Sequence, residues 1–221
     1  IAALNYIDVN GIPLDDAQLR VKELMLNRTI YGLNSTFMTS SSLNDWAERM
    51  QAIGTRFGLR ANVSIISLEV LPYDSFRLNV SLAIAVNITD AVSSIAIRRT
   101  YGEYELLSLE GFEDPLYPLN TSGFIKRTIA QSNGTVYGPG AVDNATLNKW
   151  YMNSSEGPSF LDRMEGRLYL SSRYAAMSPN QIGLDSFADL QEISGAGIAV
   201  DTNKTVVDHL YFNGTHYDAW P

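Results

Sequence analysis

The alternation of residue types from Arg77 to Thr89 most strongly restricts how this chain folds. Every second position is apolar: Leu78, Val80, Leu82, Ile84, Val86 and Ile88. Side chains alternate between the two sides of a β-strand, so the pattern predicts a long strand with one apolar and one polar face. The polar face includes Asn79 and Asn87, and each begins an N-x-Ser/Thr sequon, the acceptor motif for N-glycosylation. A glycan is bulky and hydrated, so it would require this face to be open to solvent.

Sequons are far more frequent in this chain than its composition predicts. Roughly two or three are expected by chance from the Asn, Ser and Thr content, and only five Asn residues lie outside a sequon. The eleven candidate glycosylation sites are Asn27, Asn34, Asn62, Asn79, Asn87, Asn120, Asn133, Asn144, Asn153, Asn203 and Asn213. Asn, Ser and Thr also cluster in turns for local hydrogen bonding, which is the alternative explanation. Because several sequons lie within predicted strands, we expect N-linked glycans and an extracellular or cell-surface location.

The bulk composition excludes several classes of function. The net charge of −8 opposes binding to nucleic acid or to an anionic membrane surface. The chain is cysteine-free, which rules out disulfides, thiolate metal sites and a cysteine nucleophile. Dense sequons without cysteine favour a prokaryotic exterior, and among prokaryotes an archaeal one.

The length and the first residues bear on domain organisation. With 221 residues, 45% of them hydrophobic, the chain is expected to form a single extracellular domain over 1–221, with a possible subdivision into 1–118 and 119–221. The sequence starts at Ile1 without Met, which suits a processed mature terminus or a chain that begins just after a signal peptide or membrane anchor. Membrane contact is expected only through such an anchor, because no apolar run approaches the ~18 to 20 residues of a transmembrane helix.

Residue periodicity predicts an α+β fold. Helical spacing indicates a helix over 14–27, and Ser42 with Asp45 forms a capping box before a second helix. The apolar stripe of that helix is expected to cover a sheet, and Gly58 is expected to end the helix. The stripe consists of Trp46, Met50, Ile53 and Phe57.

An antiparallel β-meander is expected to follow the N-terminal helices. Its strands are predicted at Val63–Leu71, Phe76–Thr89 and Val92–Leu109, with turns at Pro72–Asp74 and near Asp90. The second half is an irregular α+β part. It is predicted to contain short helices at 144–152, 159–165 and 185–191 and a final strand at Thr205–Phe212.

Three stretches carry a resemblance to known proteins: Leu107–Tyr117 (LSLEGFEDPLY), Gly157–Gly166 (GPSFLDRMEG), and Ile182–Leu190 (IGLDSFADL) followed by Val207–Phe212 (VDHLYF). Together they resemble exported archaeal surface proteins, especially those of methanogens and their relatives. The resemblance implies a membrane-anchored or pilin-like protein with an N-glycosylated ectodomain and no established enzymatic activity. The chain lacks the hydrophobic N-terminal helix by which a type IV pilin polymerises, and the resemblance transfers no catalytic residues.

Residues suited to catalysis or to metal binding do not form a recognisable set. His209 and His216 are the only histidines, and neither a Gly-x-Ser-x-Gly elbow nor a His-Glu-x-x-His motif accompanies them. Acidic residues concentrate at Glu103, Glu105, Glu110, Glu113 and Asp114, where a solvated strand face followed by a turn is the preferred interpretation. We therefore expect no enzymatic activity, no cofactor and no metal site, although calcium at an acidic loop stays open.

Two functions are compatible with these features. The first is a non-enzymatic structural protein of the cell surface, a subunit of a filament or surface layer that associates with itself or with other surface proteins. In that case the extended segment Ile1–Gly11 is expected to pair with a neighbour's sheet edge. The second is a membrane-tethered binding domain for a glycan, peptide or protein. The aromatic residues proposed for such a site are Tyr137, Trp150, Tyr151, Tyr211, Tyr217 and Trp220.

Glycosylation would also limit where function can reside. A surface that bears glycans cannot form a tight interface or a substrate cleft. We therefore expect function on the sequon-poor segments Ile1–Leu26, Tyr101–Leu119 and Phe160–Val200.

Overall fold

The computed structural model describes residues 1–38, 42–90, 92–93, 95–132, 140–178, 180 and 182–216. The fold is α+β, as the sequence predicts. The described elements are, in chain order, α1 (Ala2–Asn10), α2 (Ala17–Asn27), β1 (Thr29–Ile30), β2 (Leu33–Asn34), α3 (Leu43–Arg56), β3 (Leu59–Asp74), β4 (Arg77–Asp90), β5 (Ala96–Ser108), α4 (Leu116–Asn120), α5 (Ala141–Leu147), β6 (Tyr151–Ser159), α6 (Phe160–Met164), α7 (Ser172–Ala175), β7 (Gly183–Ser186), α8 (Leu190–Gly195) and α9 (Asp208–Phe212).

A long antiparallel meander of β3, β4 and β5, adjacent in that order, is the largest sheet described. The 16 residues of β3 extend about 50 Å at ~3.3 Å per residue. The predicted turn at Pro72–Asp74 is wrong, because Pro72 pairs with Leu78 inside the hairpin and the chain turns at Ser75 and Phe76. A register shift between Pro72 and Asp74 accommodates the proline, which has no N–H to donate.

The two faces of the meander differ as the alternation predicts. On one face, Val86 and Val80 of β4 lie opposite Val63 and Val70 of β3. On the other face Asn87 lies opposite Asn62. Asn79 is an even number of residues from Asn87 along β4, so its side chain points to the same face. The three sequons of the sheet therefore share one face, and the apolar residues share the other.

The apolar face joins the main hydrophobic core at one end only. Val70 and Leu78 are 1% and 6% exposed and belong to the core, whereas β4 residues 82–88 are half-exposed. The sheet is thus anchored in the body of the protein at the β3–β4 hairpin end, and its other end extends away from the core.

One hydrophobic core combines residues from both halves of the sequence. Its buried members are Ala3, Ile7, Leu14, Ala17, Leu24, Ile30, Val70, Phe76, Leu78, Leu109, Ile129, Tyr151, Phe160, Leu161, Met164, Tyr174, Ile182 and Leu184. The possible subdivision at residue 118 therefore does not separate this core. A second, smaller cluster contains Tyr117, Ile125, Ala188, Ile193 and Tyr211.

The helix predicted over 14–27 is observed as α2. Asp16 caps it by accepting a hydrogen bond from the N–H of Leu19 at 2.9 Å. The first N–H of the helix, that of Ala17, donates to the buried carboxylate of Glu165 at 2.9 Å, and the hydroxyl of Tyr174 donates to the same carboxylate at 2.7 Å. Glu165 thereby connects α2 to α6 and α7.

The N-terminal segment is helical, so the prediction of an extended Ile1–Gly11 is wrong. Ala3 and Ile7 are four residues apart, face the core from α1 and are 5% and 1% exposed. Gly11 ends the helix with a left-handed φ of 65°. In this conformation the segment is part of the core and does not offer a free strand to a neighbour.

The capping box before α3 is confirmed, and so is the packing of the helix against the sheet, but its apolar stripe is not buried there. Ser42 and Asp45 exchange the expected hydrogen bonds, and Gly58 has a φ of +74° beyond the end of the helix. The side of the helix that carries Gly54 packs against β3. The contact is close, because a Cβ on Gly54 would lie 2.8 Å from the Cβ of Ala61. Its stripe consequently stays solvent-accessible, with Ile53 46% and Phe57 75% exposed.

The second half contains β6 and β7, which pair antiparallel and were not predicted as strands. The predicted helix at 159–165 corresponds to α6. The one at 144–152 overlaps α5 only as far as Leu147, because β6 begins at Tyr151, and 185–191 spans the end of β7 and the start of α8. The predicted strand Thr205–Phe212 is wrong, because α9 occupies Asp208–Phe212. Helical geometry brings Asp208, His209 and Tyr211 to the protein interior together.

Within the ranges given above, no helix is long and apolar enough to cross a membrane.

The role of α1 in the core leads to a stability prediction. Replacing Ile7 by Ala removes buried methyl groups and leaves a cavity, so the free energy of unfolding should fall by about 2–5 kcal/mol. Val9 lies in the same helix and is 71% exposed, so Val9→Ala is the matched control and should change stability by less than about 0.5 kcal/mol. Urea denaturation measures both, and equal effects would contradict the packing of α1.

Candidate functional site

The stretches Leu107–Tyr117, Gly157–Gly166, Ile182–Leu190 and Val207–Phe212 meet in a buried polar network. Asp114 comes from the first stretch, Arg163 from the second, Ser186 from the third and Asp208 from the fourth, and all four are 0% exposed. The sequence predicts no contact among them. This network is the strongest candidate for a site, because buried charges require specific partners.

Arg163, on α6, lies at the centre of the network. Its Nη1 donates to Asp114 at 2.7 Å and to Asp208 at 2.8 Å, and its Nη2 donates to the carbonyl of Leu184. The Tyr151 hydroxyl donates to the same Asp114 oxygen at 2.8 Å. One guanidinium therefore joins the start of α4, the strand β7 and the start of α9.

A second arginine, Arg127, extends the network toward the smaller hydrophobic cluster. Its Nη1 donates to the hydroxyl of Tyr117 and to the carbonyl of Phe187, both at 2.6 Å. The guanidinium also lies 4.3 Å from the centre of the Tyr117 ring. Glu192, on α8, supplies the countercharge at 3.3 Å.

Ser186 connects the two arginine clusters. Its hydroxyl donates to Asp208 at 2.7 Å, so its hydrogen is already used. The hydrogen bond of 2.8 Å between Tyr117 and Ser186 is then donated by the tyrosine, which itself accepts from Arg127. In this series of hydrogen bonds from Arg127 to Asp208, the donor and acceptor of each bond are determined by the adjacent bonds.

His209 lies at the edge of the network between two carboxylates. Its Nδ1 is 3.0 Å from Asp185 and 3.5 Å from Asp208, and the residue is 4% exposed. Burial alone lowers the pKa of His209, but Asp185 and Asp208 outweigh it and raise the pKa to about 9. The imidazole is therefore protonated at neutral pH.

The two carboxylates bound to Arg163 differ in their pKa shifts. Burial raises the pKa of Asp114 above its usual value, and the attraction of Arg163 offsets this only in part. Burial also raises the pKa of Asp208. The positive charge of Arg163 and the hydrogen bonds donated by His209 and Arg163 outweigh burial and bring this pKa well below the usual value. Asp208 is also stabilised as an anion by two further hydrogen bonds, which it accepts from the hydroxyl of Ser186 and from the N–H of His209.

Local turn chemistry places these side chains. Asp114 begins α4 by accepting the N–H of Leu116 at 2.9 Å, and Ser159 with Asp162 forms the capping box that opens α6 just before Arg163. A Cβ on Gly157 would overlap the carboxylate of Asp185, so only glycine allows β6 to pass this close to β7.

Asp185, Asp208 and His209 also form a group of metal-ligand type, with one ligand atom from each within 4.8 Å of the others. Imidazole and carboxylates are suitable ligands for Zn²⁺. A dication would have to displace the imidazole proton and lie beside the guanidinium of Arg163, which donates to Asp208. The geometry favours the ion-paired histidine over a metal centre.

The residues considered for catalysis from the sequence are separated in the structure. His209 is buried in the network and His216 is exposed. Glu103 and Glu105 are exposed on β5, as the solvated-face interpretation predicts, whereas Asp114 is fully buried. Among the proposed aromatic residues, Tyr151 and Tyr211 are core residues with 0% and 7% exposure.

Four predicted positions lie outside the described residues: Asn133, Tyr137, Tyr217 and Trp220. Several residues of the network, chiefly Arg127, Arg163, Asp185 and Asp208, are not predicted from the sequence. The available signal was a pair of charged residues, Asp162 and Arg163, set between the apolar Leu161 and Met164.

Removing the central cation should strongly destabilise the fold. Arg163→Met replaces the guanidinium by an unbranched apolar side chain. Asp114 and Asp208 then stay buried without the countercharge of Arg163. The free energy of unfolding in urea should fall by about 3–5 kcal/mol. Arg60→Met, at an exposed position of β3, is the control and should change it by less than about 0.5 kcal/mol. Similar losses in both variants would show that the network contributes little.

Protonated His209 should make stability depend on pH. Its folded pKa of about 9 lies above the ordinary value of about 6.5, so its contribution is complete below pH 6.5 and is lost as pH rises through 9. Urea denaturation between about pH 6 and pH 10 should show this decline, and His209→Gln should reduce it. His216→Gln should behave as the unmodified protein, and an unchanged pH profile in His209→Gln would contradict the assignment.

Comparison with known proteins identifies no relative: no family model, curated protein or solved structure matches the chain.

Proposed function

We propose that this chain is a non-enzymatic, N-glycosylated protein of the archaeal cell surface or extracellular space, and that it is a structural subunit of a filament or surface assembly. Its expected partners are further copies of itself or other surface proteins. The observation that carries the proposal is the exposure of the sequon asparagines. The resemblance of the short segments described above to exported archaeal surface proteins supports the same location.

Most of the sequons are accessible in the folded chain. Eight of the ten sequon asparagines within the described ranges are exposed: Asn27, Asn34, Asn62, Asn120, Asn144, Asn153, Asn203 and Asn213. Asn79 and Asn87 are half-buried on the central strand β4. An exposed asparagine can carry a glycan without unfolding, because the sugar extends into solvent. We therefore expect the eight exposed sites to be modified more fully than the two on β4.

The arrangement of the sheet supports a role in assembly. Asn62, Asn79 and Asn87 share one face of the meander, whereas the opposite face of β4 is apolar, half-exposed and free of sequons. A contiguous apolar face that is not fully buried can serve as a contact surface for another protein. Glycans on one face would leave the other available for that contact.

The buried network supports a non-enzymatic role. Arg163, Asp114, Asp208 and Ser186 have no exposed surface in this conformation, and their charges are compensated within the protein. Catalytic groups need access to a substrate. The network is better suited to holding the second half of the chain in one arrangement.

The alternative is a membrane-tethered binding domain for a glycan, peptide or protein. An open cleft of about 510 Å³ favours it, with Tyr73, Arg77 and Gln131 among the lining residues. Asn153 also lines this cleft and begins a sequon, so a glycan there would occupy the space that a ligand needs. This competition makes assembly the better-supported function.

Mass spectrometry of the native protein tests the proposal. Peptides that contain the eight exposed sequon asparagines should carry glycan mass, and the exposed Asn44 and Asn148, outside any sequon, should not. Ser64→Ala destroys the sequon of Asn62 and should remove one glycan, whereas Ser67→Ala on the same strand should remove none. Unmodified mass at every sequon in native material would overturn the proposed location.

A further inference from the structure

The last strand of the meander, β5, has an open edge. It pairs with β4 on one side, and in the described part of the chain no strand pairs with its other side. Twelve of its 13 residues are exposed, Leu106 being the exception. Unpaired strand edges present rows of free N–H and C=O groups that favour pairing with another chain.

Two of the usual protections of an edge strand, proline and a β-bulge, are missing from β5. It contains no proline, and its pairing with β4 continues without a register shift from Ala96 to Ser108. The opposite edge strand is different, because α3 packs along β3 and Gln51 donates to the carbonyl of Val63 at 3.2 Å. β5 is therefore the edge of the meander that a further strand can reach.

The charges along β5 select the orientation of such a strand. Arg98 and Arg99 lie toward one end, and Glu103 and Glu105 lie toward the other. None of these four side chains forms an ion pair with another described residue. Two antiparallel copies of β5 with Tyr101 opposite Tyr101 would place Arg99 opposite Glu103 twice. Parallel copies in register would place Arg99 opposite Arg99, which is unfavourable.

The side chains at the centre of β5 fit this arrangement. Tyr101 is 52% exposed and lies on the apolar face of the sheet, opposite Ile84 of β4. Across a two-fold axis it would meet its own copy, and cross-strand aromatic pairs stabilise sheets. Ile97, 56% exposed on the same face, would lie opposite Glu105, where the stem of the glutamate can cover it.

Glycosylation would not block the contact. No sequon begins between Asn87 and Asn120, so β5 carries none. The sequons of the sheet lie on β3 and β4, on the face opposite to Tyr101. The edge can therefore pair in fully glycosylated protein.

We propose that β5 is a self-association edge, at which two copies of this chain pair antiparallel around a two-fold axis at Tyr101 to form a continuous six-stranded sheet. This proposal rests on the proposed function, since it names the contact through which subunits associate. A single strand pair buries less surface than a standard interface, so we expect association at micromolar concentrations.

Charge exchange is the decisive test. Sedimentation velocity of the native glycosylated protein should show a reversible dimer. Arg99→Glu and Glu103→Arg should each raise the dissociation constant by about tenfold or more, because each places like charges opposite one another twice. The double variant, and an equimolar mixture of the two single variants, should restore dimers. Loss of association in the single variants without recovery in the double variant or the mixture would overturn the antiparallel register.

A cysteine cross-link tests the position of the axis independently. The chain has no cysteine, so Tyr101→Cys introduces a single thiol that oxidation should join to its copy. Ile97→Cys is the control, because in the proposed register the introduced thiol and its copy lie eight residues apart along the paired strands. That separation is about 26 Å at ~3.3 Å per residue, too far for a disulfide. Equal cross-linking of both variants, or cross-linking of Ile97→Cys alone, would overturn the proposal.

The two proposals fail separately. Glycosylated surface protein that stays monomeric in the unmodified form would overturn the β5 contact but not the surface location. Protein that lacks glycans in its native source but dimerises with the predicted charge rescue would keep the β5 contact and overturn the surface function.

Discussion

A single buried cation positions most of the second half of this protein. Arg163 lies between Asp114 and Asp208 and also binds the backbone of β7, so three segments distant in sequence depend on one guanidinium. A buried ion pair adds little net stability over a well-packed apolar core, but misplacing one member is costly. We infer that the network specifies a single arrangement of short elements that packing alone would hold loosely.

The parts of the fold predicted from the sequence are those governed by local periodicity. The alternation from Arg77 to Thr89 identified β4 and its two faces, and helical spacing identified α2. The capping box of α3 was also found, because its hydrogen bonds join residues three positions apart. Each of these signals is contained within a short stretch of the chain.

The errors arose where distant residues determine the local structure. The segment Thr205–Phe212 alternates like a strand, yet it folds as α9 because Asp208 and His209 must both reach buried partners on other elements. The apolar stripe of α3 predicts burial against the sheet. The helix instead faces the sheet with the side that carries Gly54, where the two backbones approach closely. The polar network was missed for the same reason, since its charged members are distant from one another in the sequence.

The bond between Ala17 and Glu165 has a consequence for the order of events during biosynthesis. It joins residues 148 positions apart, so α2 lacks this N-terminal partner until Glu165 has been synthesised. Contacts of such high sequence separation slow folding, because a long loop must close before they form. The N-terminal end of α2 therefore acquires its full set of hydrogen-bond partners later than the β3–β5 meander, whose strand pairings all lie within residues 59–108.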